Sequence, residues 1–199
     1  MSKTYRCRVK LDLSTSIEAG DEVEYRLRIN DIVDDEETTD ILRQKLIEAG
    51  GEEREDGKIA LEVDGATVEV DPRERTAVAK VEGQRQIDKH VDREVHARSW
   101  RDSKEEAQAK AEHQVRSQAE AELEHEREAA KRALEEEVRR RLGDAAADIA
   151  RSLRTVSAET EKEAILRKAR RMGTVKSVTE SEDADTKDHK VVIQLELPD

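Results

Sequence analysis

The chain has 199 residues, 43% of them Asp, Glu, Lys or Arg, and a formal net charge of −12. Such an acidic chain repels phosphate backbones at long range, which argues against nucleic acid as a partner. With two Tyr, one Trp and no Phe, its core has to be small and aliphatic.

Residues 4–13 alternate, with Tyr5, Cys7, Val9, Leu11 and Leu13 on one face and Arg6, Arg8, Lys10 and Asp12 on the other. That is the pattern of a half-buried strand. Residues 22–30 repeat it with Val23, Tyr25, Leu27 and Ile29, and Ala19-Gly20-Asp21 predicts a turn joining two antiparallel strands. Asp34 to Glu37 reads as an acidic turn. Thr38 or Thr39 then caps a helix with Ile41, Leu42, Leu46 and Ile47 on one face, and Gly50-Gly51 ends it in a left-handed C-cap. Asp64-Gly65, between strands at 58–63 and 66–71, is the strongest hairpin signal in the chain. Pro72 stops the second of these strands, and 76–81 is a further one. Across 84–100, Ile87, Val91 and Val95 recur every four residues, which suits a helix. They also fall on alternate positions, which suits a strand, and both readings stay open. Trp100 is placed to anchor the helix that follows.

From Ser103 to Leu142 there is no Pro and no Gly, and Ala, Glu, Arg and Lys dominate. This predicts a helix roughly 60 Å long. Its apolar stripe is Ala107, Ala111, Val115, Ala119, Leu123, Ala130, Leu134, Val138 and Leu142, too thin for a strong coiled coil. Glu residues sit four positions before a basic residue at 106/110, 112/116, 128/132, 135/139, 136/140 and 137/141, each pair adding a few tenths of a kcal/mol. Gly143-Asp144 is expected to break or bend the helix. A second helix then carries Ile149, Leu153 and Val156. Ser157 caps a third, which ends at Met172-Gly173 with Ile165, Leu166, Ala169 and Met172 inward. Strands at 174–179 and 190–197 flank the acidic loop 180–185, and Pro198 closes the last one.

The fold class expected is therefore α+β: a mostly antiparallel sheet from both chain ends with a long helical insert. The regions are 1–100, 101–172 and 173–199, the closing hairpin returning to the N-terminal sheet.

No constellation for chemistry stands out. His90, His96, His113, His125 and His189 lack metal-ligand spacing, so no metal or other cofactor is expected. There is no G-x-S-x-G elbow and no phosphate-cradling glycine loop, and an enzyme is not expected. Cys7, the only cysteine, forms no intramolecular disulfide and reads as a small buried residue. The arginine clusters 139–141 and 167–171 lack interleaved aromatics and read as solvated or ion-paired faces. No run approaches eighteen consecutive apolar residues, and MSKTYRCRVKLDL lacks a signal-peptide core, so the expected location is cytoplasmic with no membrane contact.

The closing stretch TVKSVTESEDADTKDHKVVIQLELP, after an Ala/Glu/Arg-rich helical region, resembles small accessory proteins of bacterial ternary systems. These combine a MoxR-type AAA ATPase and a von Willebrand A-domain protein, sometimes with an FtsH-like component. The resemblance covers about the last hundred residues and carries over no functional residue. It implies an adaptor in an ATPase-driven assembly. The expected function is accordingly a non-enzymatic adaptor that contacts a protein partner or a second copy of itself. The candidate partner-binding stripe is Leu123, Leu134, Val138 and Leu142, which faces Ile149 and Leu153 or another chain. The alternatives are nucleic-acid association through the arginine clusters and an enzyme with a dispersed site.

Overall fold

The computed structural model describes residues 3–99, 104–182 and 189–196. Trp100, Leu197, Pro198 and residues 183–185 of the acidic loop 180–185 lie outside the described residues. The elements are β1 (Lys3–Arg26), α1 (Asp35–Glu48), β2 (Glu52–Glu53), β3 (Ile59–Val63), β4 (Ala66–Asp71), β5 (Thr76–Ser99), α2 (Lys104–Met172), β6 (Thr174–Glu182) and β7 (His189–Glu196). The fold is α+β. One sheet has the order β1-β5-β4-β3-β2, and β6 and β7 pair antiparallel in a second.

The chain divides into two units, one of Met1–Gly20 with Glu82–Arg139, the other of Asp21–Val81 with Arg140–Asp199. In the first, β1 and β5 form a ribbon. Its cross-strand contacts Arg8–Asp92, His90–Asp12, Gln86–Ser14 and Gln84–Glu18 pair rising numbers on one strand with falling numbers on the other, so the strands are antiparallel. From Tyr5 to Gly20 every even residue is exposed and every odd residue buried or half-buried. One face of the ribbon is thereby left for a helix, and α2 takes it. Val9, Val91, Val115 and Ala119 form one buried cluster, with Leu11, Leu13 and Val95 packed against it. Small residues at Ala107, Ala111 and Ala119, all nearly fully buried, let the helix lie close to the strands. The lengths agree: at about 3.3 Å per strand residue Glu82–Ser99 spans roughly 59 Å, and at about 1.5 Å per helical residue Lys104–Arg139 spans roughly 54 Å.

In the second unit the β3–β4 hairpin pairs Val63 with Ala66 across Asp64 (φ 48°) and Gly65 (φ 75°), the two left-handed residues that such a tight turn needs. α1 lies on this hairpin through Ile41, Leu42 and Leu46, all fully buried. Gly51 has no room for a side chain. A Cβ there would meet Ile59 Cγ2 at 2.5 Å and the Leu46 carbonyl oxygen at 2.8 Å. From α2, Ile149, Leu153, Val156, Ala164 and Ala169 are buried.

Several sequence expectations are corrected. Ala19-Gly20-Asp21 is not a turn: β1 runs straight through it, because its partner is the equally long β5 rather than its own continuation. Residues 84–99 are strand, which settles the ambiguity there. The α1 cap is Asp34, whose carboxylate accepts from the Glu37 N–H. Thr38 and Thr39 are buried, their hydroxyls donating to the Asp34 and Asp35 carbonyls. Ile47 is 45% exposed and so leaves the apolar face. The three helices expected after Trp100 are one. Gly143 and Asp144 lie inside α2, where the buried neighbours Leu142 and Ala145 outweigh the glycine's helix penalty of about 1 kcal/mol. Ser157 is interior too, its hydroxyl donating to the Leu153 carbonyl. Met172, expected inward, is 55% exposed. Among the described strands the closing hairpin does not join the N-terminal sheet. β6 and β7 satisfy each other in an antiparallel ladder from Thr174–Glu196 to Glu182–His189.

Candidate interaction surfaces

The stripe expected to bind a partner lies mostly in the chain's own core. Leu134 is 4% exposed, Val138 1% and Leu142 3%, and Leu123 is half-buried. Leu134 and Val138 close over Gly83 of β5, a contact that only the tertiary fold brings about.

Around that core the first unit is laced by ion pairs. Arg8 donates to both Asp92 oxygens, at 2.8 and 2.6 Å, and Arg93 donates to both oxygens of Glu122. Lys89 reaches Glu126 at 2.6 Å and Glu122 at 3.2 Å, and Arg85 reaches Glu137 at 3.1 Å. The hydrogen bond from Arg8 holds the Asp92 carboxyl below its ordinary range, and those from Arg93 and Lys89 do the same for Glu122. The Glu126 carboxylate pushes Lys89 up. Glu137 thus turns to Arg85 and Arg140 to Asp144, so two of the helix-internal pairs expected from the sequence form with other partners.

The second arginine cluster is also paired. Arg171 donates to both Glu37 oxygens at 2.8 Å, and Arg167 meets Glu163 at 3.2 Å and Glu37 at 3.8 Å. These contacts tie the start of α1 to the last turns of α2. Glu37 does this beside the Asp34 cap, where a carboxylate also suits the helix dipole.

Against this background a cleft of about 380 Å³ in the second unit is distinctive. It is lined by Tyr25 and Arg26 at the end of β1, by Arg28 just beyond it, and by Leu153, Arg154 and Ser157 from α2. Leu27 and Leu153, each 6% exposed, supply an apolar floor. No carboxylate lines it, and Arg26, Arg28 and Arg154 form no ion pair among the described residues. Three guanidinium groups with free forks can take a carboxylate or phosphate in bidentate fashion. Nothing in the sequence joins residues 25–28 to 150–157.

Among the described residues no group of three His, Cys, Asp or Glu side chains could hold a metal ion, and no helix is long and apolar enough to cross a membrane. His90 Nδ1 lies 2.6 Å from Asp12 on the exposed face of the ribbon, and Cys7 is buried.

Comparison with curated proteins and with solved structures gives no match. A protein-family model does match, over residues 1–196, and by it the chain belongs to the family described as FtsH ternary system domain X5.

Proposed function

We propose that this protein is a non-enzymatic accessory or adaptor component of an ATPase-driven assembly, working in the cytoplasm through protein–protein contacts. The observation that carries the reading is the family match across residues 1–196. Its partners on this reading include an FtsH-like AAA protease, together with a MoxR-type ATPase and a von Willebrand A-domain protein.

The arginine cleft is the docking point for an acidic segment of one of these partners. Its three guanidinium groups, unpaired among the described residues, stand out in a chain of net charge −12. A partner carboxylate held by two forked donors there is specific in geometry as well as charge. The apolar floor takes a neighbouring aliphatic side chain. The Leu134, Val138 and Leu142 stripe serves to hold the chain together.

The test is an affinity pull-down of the tagged full chain from its native host at moderate salt, read by mass spectrometry. The triple variant Arg26→Glu, Arg28→Glu, Arg154→Glu is run in parallel. Recovery of an AAA ATPase in near-stoichiometric amount by the native chain, lost in the variant, supports both the adaptor role and the cleft. Equal recovery by both removes the cleft. Recovery of the bait alone removes the adaptor reading.

A further inference from the structure

β1 is the terminal strand of its sheet. One edge bonds to β5, and among the described residues the other edge of this 24-residue strand has no backbone partner. A free edge of that length invites another strand, and proteins usually blunt it with charged side chains, with proline or with a bulge. β1 contains no proline, and its solvent-facing charges change sign along the strand. Arg6, Arg8 and Lys10 occupy one half, and Asp12, Glu18, Glu22 and Glu24 the other, with Arg26 at its end.

We propose that this edge is self-complementary, and that two copies of the chain pair β1 to β1 in antiparallel fashion. With the two-fold axis at Ser14, Lys10 faces Glu18 of the second copy, Asp12 faces Ser16 and Arg8 faces Gly20. On the helix side Leu11 faces Ile17 and Val9 faces Ala19. An axis at Leu13 brings Arg8 to Glu18 instead, again with no like charges opposed. An axis at Asp12 sets that residue against itself, and one at Thr15 sets Asp12 against Glu18. Like charges directly opposite are destabilising, so these two registers are disfavoured. A one-residue slip would oppose buried to exposed positions all along the strand. Parallel pairing would stack the basic half on itself.

The second layer also fits. The cluster under α2 takes Val9 from β1 and Val91 from β5, so the helix covers both strands. In the paired sheet two such helices lie on the same face, about two strand spacings or roughly 9.6 Å apart, within the usual 8–10 Å of packed helices. This inference does not rest on the adaptor reading.

The test is sedimentation equilibrium of the full chain. The expected native mass is twice 22.6 kDa. Glu18→Lys, which opposes like charges in either register, weakens dimerisation at least tenfold. Adding Arg8→Glu and Lys10→Glu to it restores the dimer. Arg73→Glu, outside β1, changes nothing, and thermal melting of each variant reports on folding. A second readout does not depend on charge reversal. In a Cys7→Ser background, the double variant Asp12→Cys, Ser14→Cys cross-links to its copy on mild oxidation in either register, from position 14 to position 14 about the Ser14 axis or from position 14 to position 12 about the Leu13 axis, because directly opposed residues approach within disulfide range. Arg73→Cys does not. A native chain that stays monomeric at about 100 μM, a dimer indifferent to Glu18→Lys, or no cross-link of the Asp12→Cys, Ser14→Cys variant overturns the proposal.

Discussion

A Cβ added to Gly83 would lie 2.9 Å from Leu134 Cδ1 and 3.1 Å from Val138 Cγ2. The glycine of β5 is therefore the hollow into which one turn of α2 settles. Gly83→Ala is expected to cost about 1–2 kcal/mol, since the leucine methyl can shift by a few tenths of an ångström. Gly83→Val, with two more carbons and less freedom, is expected to cost about 3 kcal/mol. Urea unfolding of the three proteins measures this, and a Val variant as stable as the native chain would mean that α2 does not press on the strand here.

Leu134 itself is 4% exposed. Leu134→Ala is expected to destabilise by about 2–5 kcal/mol through lost burial and a residual cavity. Leu134→Asp, which strands a charge in the same place, is expected to remove the helix–ribbon packing and not merely an external contact. Circular dichroism melts distinguish the outcomes. A stable, fully folded Asp variant would show that Leu134 faces solvent.

Gly143 is interior to α2 and a Cβ there meets nothing within 4 Å. Gly143→Ala is thus expected to stabilise by about 0.5–1 kcal/mol, from the higher helix propensity of alanine and the lower entropy of its unfolded chain. A fall in melting temperature would indicate that the helix needs the glycine in order to bend.

Asp34 caps α1 by accepting from the Glu37 N–H at 2.8 Å. Asp34→Ala is expected to cost about 1 kcal/mol, and Asp34→Ser markedly less, in chemical denaturation. Equal losses would show that the cap is not what the carboxylate contributes.

Acid should loosen the ion-paired ribbon. Asp92 is held below its ordinary 3.8 by Arg8, Glu122 below 4.5 by Arg93 and Lys89, and Glu69 below 4.5 by Lys80. A carboxyl depressed in the folded state stabilises fully above its ordinary value and loses that contribution as pH falls through the folded one. Lys80 and Lys89, pushed above 10.5 by Glu69 and Glu126, contribute fully below that value and lose it as pH rises through the raised one. Melting temperature should hold a plateau between about pH 5 and 10 and fall on both sides. The pairs are exposed or only part-buried, so each is weak and the acid limb flattens in 1 M salt. Asp92→Asn with Glu122→Gln should flatten it as well. An unchanged acid limb in that variant would place the sensitivity elsewhere.

How far the residues could be read in advance depended on the range of the interactions. The β3–β4 hairpin was legible because Asp64-Gly65 meets its conformational demand within two residues. The helical stretch was legible because propensity acts residue by residue. Gly20 misled because a glycine between alternating segments looks like a turn until a partner as long as β5 is known to run beside it. Gly143 and Ser157 misled for a related reason. Their local cost is small beside the burial of Leu142, Ala145, Leu153 and Val156, and burial depends on what lies opposite. The arginine cleft was invisible, since its lining comes from segments more than a hundred residues apart.

The alternation in β1, the helix-forming run from Ser103 and the α+β class were determined by the sequence alone, because each follows from periodicity or propensity. The tertiary structure alone decided that β1 and β5 are partners, that 84–99 is strand, that α2 is one helix and that Leu134 and Val138 face Gly83. These depend on which surfaces meet, and burial free energy, which outweighs single-residue preferences of about 1 kcal/mol, is assigned only when they do.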